Sequence, residues 1–170
     1  MTRVSLLSFA LVFGATLHAQ SAAPLVADGK QVFTPIKNNL VKLAEKMPAE
    51  LYEFKPAPEM RSFGALMAHI ADAQTRNCSA ASGETKAATA ASKTSKDDLV
   101  AALKESMATC DSAWASLTEA NALSMTKFRT GERSKLGIMM YNNVHSNEEY
   151  GYASVYLRVK GIVPPSSEGK

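Results

Sequence analysis

The sequence predicts an all-α protein: a four-helix bundle with a crossover connection, preceded by a cleaved signal peptide. Three observations carry the prediction. Large apolar residues recur at steps of three and four in four separate segments, the spacing that lines one face of an α-helix. Ser, Gly and Pro stand at the edges of those segments as caps and stops. No alternating apolar strand of useful length and no internal repeat interrupts the pattern.

The elements follow in chain order. Met1-Thr2-Arg3 is a short basic start, Val4 to Leu17 an apolar run, and Ala19 the end of a signal-peptidase site. This is the layout of a secretory signal, and its apolar run is short for a membrane span. We therefore expect residues 1–19 to be removed, residues 24–165 to form the bundle and residues 166–170 to be a short tail. The mature protein is expected in the periplasm or secreted, with no stable membrane insertion. The first helix carries Phe33, Ile36, Leu40, Leu43 and Met47 and ends at Pro48, with its regular part expected to begin at Pro35. Pro56 and Pro58 keep the next segment extended.

Ser62 caps a second helix with Phe63, Leu66, Met67, Ile70 and Ala73 on its apolar stripe, ending near Gly83. Glu84 to Lys96 lacks periodic large apolars and reads as a mobile loop. Ser95 caps a third helix with Leu99, Leu103, Met107, Cys110, Trp114 and Leu117. Thr118 to Arg133 is polar and irregular, and Ser134 opens a fourth long helix. Leu136, Met140, Val144, Tyr152, Val155, Tyr156 and Val159 are its expected apolar residues, with Gly161 and Pro164-Pro165 as its stop.

Composition bounds the function. About 150 residues remain after cleavage, enough for one domain with a proper core. The formal charge is +3 and falls to +2 with the loss of Arg3. No basic stripe with interleaved aromatics is present, so nucleic acid is not an expected partner. The two cysteines, Cys78 and Cys110, suit a disulfide in an exported chain. The rival reading is a reactive thiol or a thiolate ligand.

Only His69 and His145 of the three histidines survive cleavage, since His18 lies within the signal. His145 stands four residues before Glu149, one helical turn away on the same face. In the line Ile138, Tyr141, His145, Glu149, Tyr152 and Tyr156, the other members are apolar or aromatic, so the line is expected to face inward. A buried carboxylate is costly unless it is paired or bound to a cation. Facing helices of a bundle build metal sites from such residues, so His69, His145 and Glu149 are the candidate metal ligands. The bland alternative is a hydrogen-bonded core histidine, with Glu149 paired to Arg158, Arg76 or Lys160. Asp72 is either an acceptor that orients an imidazole or a solvated helix residue. Tyr141, Tyr150, Tyr152 and Tyr156 cluster near the site, and Glu148 is expected to face solvent. No nucleophile elbow, P-loop or dinucleotide fingerprint is present, and no independent general base is identifiable.

The segment from Arg61 to Ala73 (RSFGALMAHIADA) resembles the second helix of the DinB-like (DinB/YfiT) superfamily, whose fold is associated with metal-dependent enzymes. So do His145 to Gly151 (HSNEEYG), the ending Tyr156 to Pro165 (YLRVKGIVPP) and the proline-bounded link Pro48 to Pro56. The likeness covers most of the mature chain, and the ending is its most specific part. It implies a divalent ion near one end of the bundle, held by one histidine of the second helix and an H-x-x-x-H pair of the fourth. His69 and His145 match that pattern, whereas Glu149 stands where the third histidine is expected. Two imidazoles and a carboxylate still suit zinc, nickel, manganese or iron. A metal-dependent hydrolase or group-transfer enzyme acting on a small molecule follows from a competent site. A non-catalytic periplasmic bundle that binds a small ligand or partner follows from a decayed one. Homodimerisation suits a bundle of this kind, and neither the substrate nor the reaction is legible.

Overall fold

A computed structural model describes residues 24–169, so the expected signal segment and His18 lie outside the described residues. Among the described residues there are five α-helices, three single 3-10 turns and one hairpin. The helices and strands are α1 (Pro24–Lys46), α2 (Phe63–Ser82), α3 (Lys96–Ser116), the one-turn α4 (Glu119–Ala122), β1 (Met125–Phe128), β2 (Gly131–Ser134) and α5 (Lys135–Val159). Each of α1 and α2 packs against both α3 and α5. The helix pairs α1/α2 and α3/α5 therefore lie across the diagonals of a four-helix bundle, and the connections between them cross over. Among the described residues no helix is long and apolar enough to cross a membrane.

The caps act where the sequence places them. Ser62, Ser95 and Ser134 have extended backbones and accept from the amides of Ala65, Asp98 and Gly137, satisfying donors that the first helical turn leaves open. Gly83 ends α2 at φ 79°, and Gly161 follows α5 at φ 71°, both in the left-handed region that a Cβ disfavours.

Helix α1 begins eleven residues before Pro35. Its first half is anchored by buried Val26, Gly29 and Phe33, while Pro35 lies on the exposed face. The carbonyl that the missing N–H leaves unpaired is that of Gln31, which is also exposed, so the proline is tolerated mid-helix. Gly29 allows a close approach: a Cβ there would lie 2.6 Å from the Trp114 ring. Its carbonyl accepts from buried Asn143 Nδ2 at 2.8 Å, so α1 meets both α3 and α5 at this residue.

Three further expectations need correction. Thr118 to Arg133 is not irregular: Thr118 and Asn121 form a capping box on α4, and β1 pairs with β2 in antiparallel register from Met125↔Ser134 to Phe128↔Gly131. The strands are four residues each and largely polar, too short for an alternating pattern to register. The loop 84–95 is pinned rather than free, because Ala90 is buried and the Asp72 carboxylate accepts from the amides of Ala90 and Ala91 at 2.8 and 3.3 Å. The third correction concerns the face of α5. Met140, Val144, Tyr152, Val155 and Val159 are exposed. The buried line is Met139, Asn142, Ser146, Glu149, Ala153 and Tyr156, one position round from the expected line at 142, 146 and 153.

A disulfide joins Cys78 of α2 to Cys110 of α3, and both are fully buried. Neither is a free thiol.

Candidate metal centre

The buried line of α5 is polar where it faces α2. Gln74 of α2 accepts from Asn142 Nδ2 at its Oε1 (2.7 Å) and donates from Nε2 to Ser146 Oγ (2.7 Å). Asn77 Nδ2 donates to Asn142 Oδ1 at 3.1 Å, and the Ser146 hydroxyl donates to the Asn142 carbonyl at 2.6 Å. All four residues are buried. Such a network permits one register only, since a slip would leave several buried polar atoms unpaired. It holds α2 and α5 so that His69 faces His145 and Glu149 one turn further along the bundle.

There the three candidate ligands converge. Glu149 Oε1 lies 3.3 Å from His69 Nε2 and 3.5 Å from His145 Nε2, and one ligand atom from each residue falls within 4.8 Å of the others. The imidazole rings stand 5.3 Å apart. Glu149 is 6 % exposed, while both histidines are half-buried and open the cluster toward solvent. Arg158, Arg76 and Lys160 form no ion pair with Glu149.

Two readings of this cluster compete. In the first it is a carboxylate paired with an imidazolium. In the second it is a ligand set for a cation. Burial, the largest influence on His145, pushes its pKa below the ordinary value and favours the neutral imidazole, against the pull of Glu149. Among the described residues Glu149 Oε2 and His145 Nδ1 are buried without a hydrogen-bond partner. An ion pair leaves that carboxylate oxygen unsatisfied, whereas a divalent ion accepts either or both oxygens. The two separations from Glu149 Oε1 to the imidazole nitrogens, 3.3 and 3.5 Å, also match: a tetrahedron with metal–nitrogen and metal–oxygen bonds of about 2.05 Å has edges of about 3.3 Å. The residues present therefore fit a divalent metal.

The surroundings differ from the sequence expectations. Asp72 is turned away from the imidazoles and holds the loop at Ala90, so it does not orient a ligand. Glu148 is exposed and accepts from Tyr152 Oη, as its helical angle implies. Of the four tyrosines only Tyr141 contacts a candidate ligand ring, at 6.3 Å from His145. Tyr156 is buried and donates to the Arg61 carbonyl, and Tyr150 accepts from the Ser166 amide on another side of α5. Sequence reasoning missed Gln74, Asn77, Asn142 and Ser146. Their available signal was an Asn pair in mid-helix, where asparagine is a poor helix former, with Ser146 one turn on.

Clefts reach the cluster from two sides. One of about 430 Å³ includes His69, Arg61 and Arg76; another of about 530 Å³ includes Glu149, Arg61 and Tyr156. Arg61 stands between them.

The sequence profile of the DinB superfamily matches residues 35–153. Among solved structures, the chain is similar to a DinB-like protein from Bacillus cereus ATCC 10987, with 17 % identity and a TM-score of 0.72 over 82 % of this chain and 95 % of that one. It is also similar to the DinB-like protein YjoA from Bacillus subtilis, with 19 % identity and a TM-score of 0.66 over 87 % of this chain and all of that one. At these identities the likeness is one of fold. No curated protein is close enough to this chain to count as a match.

Proposed function

The chain belongs to the DinB superfamily, and from that premise we propose that it is an exported metal-dependent enzyme whose ion is held by His69, His145 and Glu149. The observation that carries the reading is the convergence of two imidazole Nε2 atoms on a buried carboxylate with an orphaned second oxygen. A bound divalent ion supplies Lewis acidity for hydrolysis or group transfer on a small molecule. Glu149 in place of a third imidazole adds one negative charge and shifts the preference toward harder ions such as manganese or iron. The protein supplies the rest: a fixed helix register beneath the ligands and clefts on either side for substrate.

Export is supported by the basic and apolar N-terminal sequence with its small-residue exit, and by the buried disulfide, a bond that persists in oxidising compartments.

Metal analysis of protein purified from the periplasm tests the site. Near-stoichiometric metal in the wild type, lost in His69→Ala, His145→Ala and Glu149→Ala, is the expected result. A metal-free wild type whose melting temperature ignores added zinc, nickel, manganese and iron would sink the proposal and leave a non-catalytic bundle. The mass of the same material tests export, which predicts a chain beginning at Gln20 with two hydrogens fewer than the reduced form.

A further inference from the structure

The hairpin and the C-terminal end of α2 enclose a cleft of about 500 Å³ distinct from the clefts at the metal cluster. Arg76 of α2, Lys86 of the following loop, Lys127 of β1 and Arg129 at the hairpin tip line it, and Glu84 is the one carboxylate among its lining residues. None of the four cations forms an ion pair among the described residues. A chain with a net charge of +3 thus gathers as large an excess in one concavity, which focuses a positive field there.

Arg129 is held in place by its neighbours. It is the one non-glycine residue with positive φ, 55°, among the described residues, a backbone that glycine would adopt without strain. Its guanidinium lies over the Tyr141 ring at 4.9 Å and the Phe128 ring at 5.4 Å, and donates to the Tyr141 hydroxyl. Its remaining donors meet no protein acceptor among the described residues, and a guanidinium so fixed presents a planar fork that matches phosphate and carboxylate oxygens.

We propose that this cleft binds the dianionic group, a phosphate monoester or a dicarboxylate, of a small-molecule ligand. A single carboxylate would leave most of the excess charge uncompensated. The volume suits a small molecule, and the cations converge on one concavity instead of forming a stripe along which a nucleic acid would track. Arg76 also lines the cleft that reaches His69, and Arg129 leads through Tyr141 to His145. A ligand anchored here extends its other end toward the metal cluster. That last step rests on the metal-site reading; the anion cleft does not.

Titration of the ¹⁵N-labelled protein at low ionic strength with inorganic phosphate and, separately, succinate tests it. The expected result is a saturable shift of the amides of Gly83 to Lys86 and Thr126 to Arg129. Affinity should fall at least tenfold in Arg76→Glu and in Arg129→Gly, the latter keeping the hairpin because glycine accepts the same φ. Lys30→Glu on α1 should change nothing. Response to phosphate alone assigns the monoester, and response to succinate alone the dicarboxylate. Glu149→Ala should bind the anion normally even though it bears on the metal, so failure of either reading is seen separately. No saturable shift with either anion, or shifts that persist in Arg76→Glu, would overturn the proposal. So would a single-stranded oligonucleotide binding where both small anions fail.

Discussion

Gln74 and Asn142 clasp α2 to α5 through a buried amide–amide hydrogen bond of 2.7 Å, and the candidate ligands stand directly beyond that clasp. His69 lies five residues before Gln74, and His145 three residues after Asn142. Replacing Asn142 with Leu removes both partners that Asn142 offers, leaving Gln74 Oε1 and Asn77 Nδ2 buried and unpaired. Each orphaned group costs about 1–3 kcal/mol. The expected outcome is a loss of about 2–6 kcal/mol in urea unfolding, together with weaker metal binding although none of His69, His145 and Glu149 is changed. Wild-type metal affinity in the variant would show that the register does not depend on the clasp.

Glu149 yields a prediction of opposite sign. A carboxylate that is 6 % exposed, with one oxygen lacking any partner, destabilises the metal-free fold, because its desolvation is incompletely repaid. Glu149→Leu, measured in a chelator, should raise stability by about 1 kcal/mol, while the metal-dependent rise in melting temperature disappears. If the chelated variant is instead less stable than wild type, Glu149 has a structural role as an ion-pair partner.

These two residues also mark what was legible in the sequence. Caps and stops were, because Ser62, Ser95, Ser134, Gly83 and Gly161 act through local backbone geometry that their own chemistry dictates. The convergence of His69, His145 and Glu149 was, because inward carboxylates and histidines are rare and the family-like segments contain them. The facing of α5 was legible only in part: Ile138, Glu149 and Tyr156 are buried as expected, and Tyr152 is not. Its apolar Met140, Val144, Val155 and Val159 lie outside, and its buried face carries Asn142, Asn143 and Ser146, so hydrophobic periodicity pointed to the wrong neighbours. A buried polar network hides from such a reading, since its partners on α2 are some seventy positions away in the chain. Nor was the hairpin legible, its four-residue polar strands being fixed by pairing and by packing of Phe128 on Tyr141.

Alkaline pH should expose a third dependence. Tyr52 is buried and donates to the Ala44 carbonyl at 2.7 Å. Burial, then the charges of Asp97 and Glu45, pushes its pKa well above the ordinary value of 10.0. The unfolded chain therefore releases the phenolic proton first. Stability from this residue is complete below pH 10 and is lost as pH climbs above it toward the folded value. Tyr52→Phe should lose about 1 kcal/mol at pH 7 with its hydrogen bond, yet show a shallower fall in stability between pH 10 and 11 than wild type. Parallel pH profiles for the two proteins would contradict the assignment.

Gly29 provides the last test, and it concerns how tightly three helices meet. A Cβ at this position would sit 2.6 Å from Trp114 Cη2 and 3.1 Å from Met140 Sδ. Met140 is 40 % exposed and can swing aside, but Trp114 is 1 % exposed and packed against Phe33 at 6.3 Å between ring centroids. The indole cannot yield without displacing α1 or α3. Alanine is the better helix former by about 1 kcal/mol, so propensity alone predicts that Gly29→Ala stabilises α1. Overpacking in a filled core costs about 1–3 kcal/mol and should win. The expected outcome is a net loss of about 1–2 kcal/mol, reversed when Trp114→Phe is combined with it and the ring no longer reaches the new methyl. A stabilised Gly29→Ala single variant would mean that α1 can move off α3 at little cost.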